Sequence, residues 1–229
     1  MIRTVIRVRD AGGVPLQNRV LPTGEIVAHA ARGGLMGNRG CLHGAGRTLG
    51  VTRWRSRLWI CCTLTWRDWR RDVMPSGRWT ALFFLDEATS LAAGHRPCAY
   101  CRRADYLDYA HAWQRADGGE RRPWAAEMDE RLHHERVRRT REQITRPMRL
   151  GDLPAGAMIA RRGGSALVVP GAVRAWSFEG YGEPEALAAD EIVDVRTPPA
   201  TLGALAQGYR PWVHASAVDG SAEAGLVRL

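Results

Sequence analysis

Cys98 and Cys101 stand three apart, directly after Pro97, in the run Gly94-His95-Arg96-Pro97-Cys98-Ala99-Tyr100-Cys101-Arg102. Two thiols at that spacing on a tight turn can grip one tetrahedral metal ion, usually zinc. Such a turn supplies half a site. The other two ligands are expected upstream: Cys41 or His43 from a glycine-rich loop, and Cys61 or Cys62 from a strand. Adjacent strand residues point to opposite faces, so only one of Cys61 and Cys62 can face the ion. The leading set is His43, Cys62, Cys98 and Cys101, with Cys41 and Cys61 as alternates. A closed four-ligand zinc site of this kind holds a fold together rather than performing chemistry. A redox role suits the motif less well, because it follows a helix instead of opening one after a strand.

Two further constellations carry chemistry. Asp129 and His133 stand four apart and share a helical face, so they form an acid/base or metal pair if the chain is an enzyme. Between residues 53 and 79, Trp54, Trp59, Trp66, Trp69 and Trp79 interleave with Arg53, Arg55, Arg57, Arg67, Arg70, Arg71 and Arg78. Aromatics can stack on bases while arginines clamp phosphates. The alternative is a tryptophan core with the arginines as its solvated outer face. With Arg102 and Arg103 behind the Cys-x-x-Cys, the candidate phosphate contacts are Arg53, Arg55, Arg57, Arg67, Arg70, Arg71, Arg102 and Arg103.

Bulk properties agree with a nucleic-acid partner. The chain has 229 residues and a formal charge of +9, and all 33 basic residues are arginine. Arginine gives planar, bidentate contact with phosphate. No apolar run approaches the roughly 18 residues of a membrane span. Residues 1–9 alternate like a strand and lack a signal-peptide core. The cytoplasm follows, where the five cysteines are metal ligands or free thiols rather than disulfides.

The elements that must position these groups are legible in outline. Asp86 is a plausible N-cap for a short helix whose buried stripe is Leu85, Ala88, Leu91 and Ala92. Gly94 ends that helix and Pro97 prevents its continuation. Residues 58–66 read as a strand with Trp59, Cys61 and Thr63 on one face and Ile60, Cys62 and Leu64 on the other. A turn at 74–77 leads to a second strand over 78–83. Helices are expected over 104–113 and, strongly charged, over 123–145, with Pro123 near the first turn. Past residue 150 charge thins and short apolar runs appear at 157–160, 166–169, 173–176 and 192–195, with a helix at 199–208 and a tail that frays from residue 219. The glycine-rich loop at 32–44 matches neither the P-loop nor the dinucleotide fingerprint.

The Gly94–Arg102 run resembles the distal half of the Ada-type metal-binding domain, found in bacterial DNA alkyl-phosphotriester repair proteins and in nuclease-associated modules. In that family a helix ending in Gly-(aromatic or His)-Arg-Pro-Cys-x-x-Cys supplies the last two zinc ligands. Met36-Gly37-Asn38-Arg39-Gly40-Cys41-Leu42-His43 stands where the proximal half would lie. The repair domain uses a zinc-bound cysteine as methyl acceptor in a four-cysteine site with tighter spacing. Here Cys41 and Cys61 lie far apart, and a neutral His43 would leave the remaining thiolates less nucleophilic. The residue patterns give an α+β chain: N-terminal strands (1–31), an Ada-like zinc module of short strands and helices (32–116), a charged helical segment (120–147), a small β-rich unit (148–218) and a tail (219–229); the resemblance covers the zinc module alone. It implies Zn2+ and a DNA partner, in repair or processing. The expected function is zinc-stabilised DNA binding; the alternatives are a metal-dependent nuclease or DNA alkyltransferase, and a zinc-stabilised protein-interaction module.

Overall fold

The computed structural model describes residues 15–67, 72–138, 140–218 and 225–229. Residues 1–14, with the strand expected there, and the candidate contacts Arg70 and Arg71 lie outside the described residues. The class is α+β, as expected.

α1 (Glu87–Ala92), all six residues of which are buried, joins two of the hydrophobic cores. Its small side chains (Ala88, Ser90, Ala92) let other elements approach closely. Asp86 is the N-cap: its carboxylate accepts from the Thr89 amide at 2.9 Å and the Thr89 hydroxyl at 2.8 Å. Gly94 closes the helix at φ +82, and a Cβ there would meet the Arg136 side chain at 2.4 Å. That position therefore needs glycine twice over, for its backbone and for its neighbour.

The first sheet holds β1 (Gln17–Val20), β2 (Ile26–Ala28), β3 (Leu35–Asn38), β4 (Ile60–Cys62), β5 (Leu82–Phe84) and β6 (Arg96–Pro97) in the order β2-β1-β5-β3-β4-β6. β1/β5 and β4/β6 are parallel; the other pairs are antiparallel. β4 is far shorter than the strand expected over 58–66. Its ladder partners are the four-residue β3 and the two-residue β6, and its last pair on the β3 side is Cys62 with Met36.

A second, antiparallel sheet holds β7 (Arg146–Arg149), β8 (Met158–Arg161), β9 (Gly164–Val169), β10 (Ala172–Trp176), β11 (Tyr181–Glu185) and β12 (Ile192–Val195), in the order β11-β10-β9-β8-β12-β7. Pro147 and Pro184 fall on its two edge strands, where a missing N–H need not interrupt a ladder. β13 (Trp212–His214) pairs with β14 (Leu226–Arg228). The end of the chain is thus a strand, where fraying was expected. The lone terminal run was too short to signal a strand without its partner.

α2 (Arg103–Asp117) buries Tyr106, Tyr109, Ala110 and Trp113, the face expected of it. It packs on α4 (Pro199–Ala206). α3 (Ala125–Arg136) stops well short of residue 145. Val137 turns extended and forms an antiparallel bridge with Gln143, and Arg141 adopts φ +73. Charge alone had suggested the longer helix. No apolar stripe continues beyond Leu132, and without one a helix has nothing to bury.

The cores cross the boundaries read from the sequence. Leu85, Ala88 and Ala92 cluster with Met158, Leu167, Tyr181 and Val213 from the β-rich unit. Leu91 joins Tyr109, Leu205 and Tyr209. Two buried carboxylates pin the same junction. Asp86 accepts from the Tyr181 hydroxyl at 2.7 Å and the His214 amide at 3.0 Å. Glu87 accepts from the Tyr209 hydroxyl at 2.6 Å and the Trp212 amide at 2.9 Å.

Candidate metal centre

Register decides which cysteines meet. β6 lies parallel to β4 with Ile60 beside Arg96 and Cys61 beside Pro97. The Cys98 amide donates to the Cys61 carbonyl at 2.9 Å, which carries the pairing one residue further and brings Cys98 alongside Cys62. Side chains adjacent across a ladder share a face. The turn after β6 then swings Cys101 back to the same point. The ligating atoms of Cys62, Cys98 and Cys101 all lie within 4.8 Å of one another. A tetrahedral ion with metal–sulfur bonds of about 2.3 Å holds its sulfurs about 3.8 Å apart, so these three could hold a metal ion with little movement.

The protonation pattern suits a cation. The Cys101 and Cys62 thiols, together with the Cys101 and Tyr100 amides, hydrogen-bond to Cys98 and hold it far below the ordinary thiol range. Cys101 and Cys98 push the Cys62 thiol upward; the hydrogen bond with Cys62 lowers Cys101, but Cys98 and burial outweigh it and Cys101 is raised as well. Three sulfurs this close cannot all become thiolates without a positive ion among them.

Two of the expected alternates are placed elsewhere. Cys61 faces the core behind the sheet, where burial, opposed by Arg102, pushes its thiol up to about 12. It accepts from Arg102 Nη1 at 3.4 Å. Cys41 Sγ lies against the His43 carbonyl at 3.7 Å. His43, expected as a ligand, is outside the cluster: its Nδ1 pairs with the Thr80 hydroxyl at 2.7 Å and its Nε2 with the Pro75 carbonyl at 3.1 Å. It serves as a strut between the glycine-rich loop and the 74–77 turn.

Asp129 and His133 do not form an acid/base pair. Asp129 is buried in a two-pronged ion pair with Arg96, at 2.8 Å to Nε and 2.7 Å to Nη2. His133 Nδ1 instead faces Arg136 Nη2 at 3.1 Å, and its ring lies edge-on to Trp54. Sequence spacing placed them on one helical face, but Arg96 from β6 takes Asp129, while Arg136 on α3 itself and Trp54 flank His133.

The arginines divide. Arg102 is buried between Glu87 at 2.8 Å and Asp105 at 2.7 Å, so it is a structural cation and is not free for phosphate. Burial alone would lower its pKa, but Glu87 holds it above the ordinary arginine value. Arg53 Nη1 donates to the Gly50 carbonyl at 2.7 Å, and Arg57 reaches Glu130 at 3.4 Å on the surface. Arg55, Arg67 and Arg103 are exposed and, among the described residues, carry no carboxylate partner. Arg67 lies over Trp66 at 5.4 Å, Trp66 packs on Tyr100 at 5.6 Å, and Tyr100, between the two knuckle cysteines, is 54% exposed.

Sequence reasoning missed Tyr100, although its position inside the motif was the available signal. It also missed Arg39 and Arg136, which stack on the buried Trp59 at 3.9 and 3.7 Å. Nothing local in the sequence marks either arginine as buried. No helix among the described residues is long and apolar enough to cross a membrane. Compared with known proteins, the chain matches no family model, no curated protein and no solved structure.

Proposed function

We propose that this chain is a zinc-stabilised DNA-binding protein whose metal knuckle, an Ada-like module, presents the nucleic-acid surface. One observation carries the reading: the three gathered thiols sit directly beside an aromatic and arginine patch in which Tyr100, Arg67 and Arg103 are exposed and Trp66 is half-buried. Zinc is the ion that best suits several thiolates in a reducing compartment. Its part is to fix the turn between β6 and α2. Tyr100 and Trp66 offer ring faces to unpaired or distorted bases, and Arg67 and Arg103 offer phosphate contacts beside them.

Metal content and salt-dependent binding test the two halves separately. The purified chain should carry about one zinc, lost in Cys98→Ser and retained in His43→Ala. Single-stranded DNA should bind with an affinity that falls steeply with salt. Tyr100→Ala should cost about 1–3 kcal/mol of binding through lost stacking. Arg103→Ala should weaken all sequences alike and reduce the salt slope by about 1. Full affinity in both variants would remove the knuckle from the interface.

A further inference from the structure

A tetrahedral ion needs four donors, and this trio supplies three. Among the described residues no other cysteine, histidine or carboxylate joins the cluster. The nearest sequence candidates are committed: Cys61 to Arg102, Cys41 to the His43 backbone, and His43 to Thr80 and Pro75. The three sulfurs define one face of a tetrahedron. Cys98 is buried, whereas Cys62 and Cys101 are partly exposed, so solvent reaches the cluster from their side rather than from that of Cys98. There Tyr100 is largely exposed, with Trp66 packed on it.

Three protein donors and an open corner form the pattern of an exchangeable metal site, in contrast to a closed structural one. Charge favours an anion in that corner less strongly than in a site with neutral ligands, because three thiolates already outweigh a dication. Two features offset this. Cys101 immediately precedes the first turn of the fifteen-residue α2, whose N-terminal amides carry partial positive charge, and Arg103 stands exposed in that turn. Ligand softness then decides the class: a thiolate-rich centre takes another sulfur in preference to a hard carboxylate or phosphate oxygen. The aromatic pair beside the opening suits a small organic thiol.

We propose that the metal ion keeps one exchangeable coordination position, occupied by water at rest and taken by a small thiol as its thiolate. In the exchange the thiol gives its proton to solvent, its sulfur bonds to the ion, and the water leaves; nothing is oxidised or reduced. The proposal rests on the metal half of the reading above and not on its nucleic-acid half.

Cobalt(II) substitution of the full-length chain under anaerobic conditions tests it. Binding is expected at about one cobalt per chain, with tetrahedral d–d absorption and sulfur-to-cobalt charge transfer. Titration with 2-mercaptoethanol should raise the charge-transfer intensity saturably by about one third, the ratio of four thiolates to three, while acetate leaves it unchanged. Trp66→Ala should keep the cobalt stoichiometry and weaken the thiol response several-fold. Cobalt that binds but ignores the thiol would show a closed fourth position, overturning the proposal and leaving the metal reading intact. Thiol that strips the cobalt out with no saturable rise beforehand would also overturn the proposal, because no stable species with a fourth sulfur forms. A chain that takes up no cobalt would sink both together.

Discussion

Trp59 and Trp66 belong to one tryptophan- and arginine-rich stretch, yet the fold uses them in opposite ways. Trp59 is 1% exposed; its indole N–H donates to the Ser56 carbonyl at 2.9 Å, and Arg39 and Arg136 stack on its ring. Those guanidinium groups are anchored on main-chain carbonyls, Arg39 on Gly24 and Arg136 on Gly94 and Arg57. Trp66 lies beyond the end of β4, half-buried, with exposed Arg67 over it and exposed Tyr100 beside it. The same pair of residue types is a core clamp at one end and a presented surface at the other. What separates them is tertiary: Arg136 arrives from α3 and Arg39 from the glycine-rich loop to close over Trp59, whereas Arg67 and Tyr100 beside Trp66 remain largely exposed to solvent.

That contrast breaks most visibly in stability. Trp59→Ala should cost about 3–5 kcal/mol, since it leaves a large cavity and strips two buried cations of their stacking partner. Trp66→Ala should cost under about 1 kcal/mol. Urea midpoints of the two variants check the difference, and equal losses would mean that Trp66 is core as well.

A second pair sharpens the same point on α3. Asp129 and Glu130 are sequence neighbours, each paired with an arginine, but their side chains are 2% and 64% exposed. Asp129→Ala leaves Arg96 charged and buried without its partner, and should cost about 3–5 kcal/mol. Glu130→Ala removes a solvent-screened contact with Arg57 and should cost at most about 1 kcal/mol. The double variant Arg96→Met/Asp129→Leu should recover most of the larger loss, because a packed apolar pair removes the uncompensated charge. A double variant as unstable as Asp129→Ala would assign the cost to something other than the buried charge.

These pairs also show where sequence reasoning ran out. Local signals were read correctly where the cause is local: the Asp86 cap, the Gly94 stop, the apolar face of α2 and the helix starting at Pro199 all depend on neighbours a few residues away. The two knuckle thiols were legible for the same reason. Cys62 was preferred to Cys61, and the β4/β6 register supplies the physical cause, but that register is a pairing between segments far apart in sequence. His43, Asp129 and Arg102 were misplaced because residue type and spacing cannot say which distant partner has already claimed a side chain. The length of α3 was misread because charge density resembles an exposed helix whether or not a buried face continues.

The smallest expected effect is on pH dependence, and it tests the Trp59 end of the comparison from its rim. His133 lies edge-on to Trp54, which itself packs against Trp59. Burial, with Arg136, Arg57 and His134 nearby, lowers its pKa to about 4. His95, fully buried against Trp59 and beside Arg39, is lowered as well. A histidine held neutral in the native state takes up its proton preferentially in the unfolded chain, at its ordinary value near 6.5. Below that value the unfolded state binds more protons, so stability is full above about pH 6.5 and declines as pH falls toward about 4. The His133 share should be under about 1 kcal/mol, because the ring is only partly buried and solvent screens its neighbours. Urea midpoints at pH 7 and pH 5 should therefore differ in the wild-type chain and differ less in His133→Gln. A variant with an undiminished pH slope would place the dependence on other groups, His95 among them, leaving His133 outside the unit that encloses Trp59.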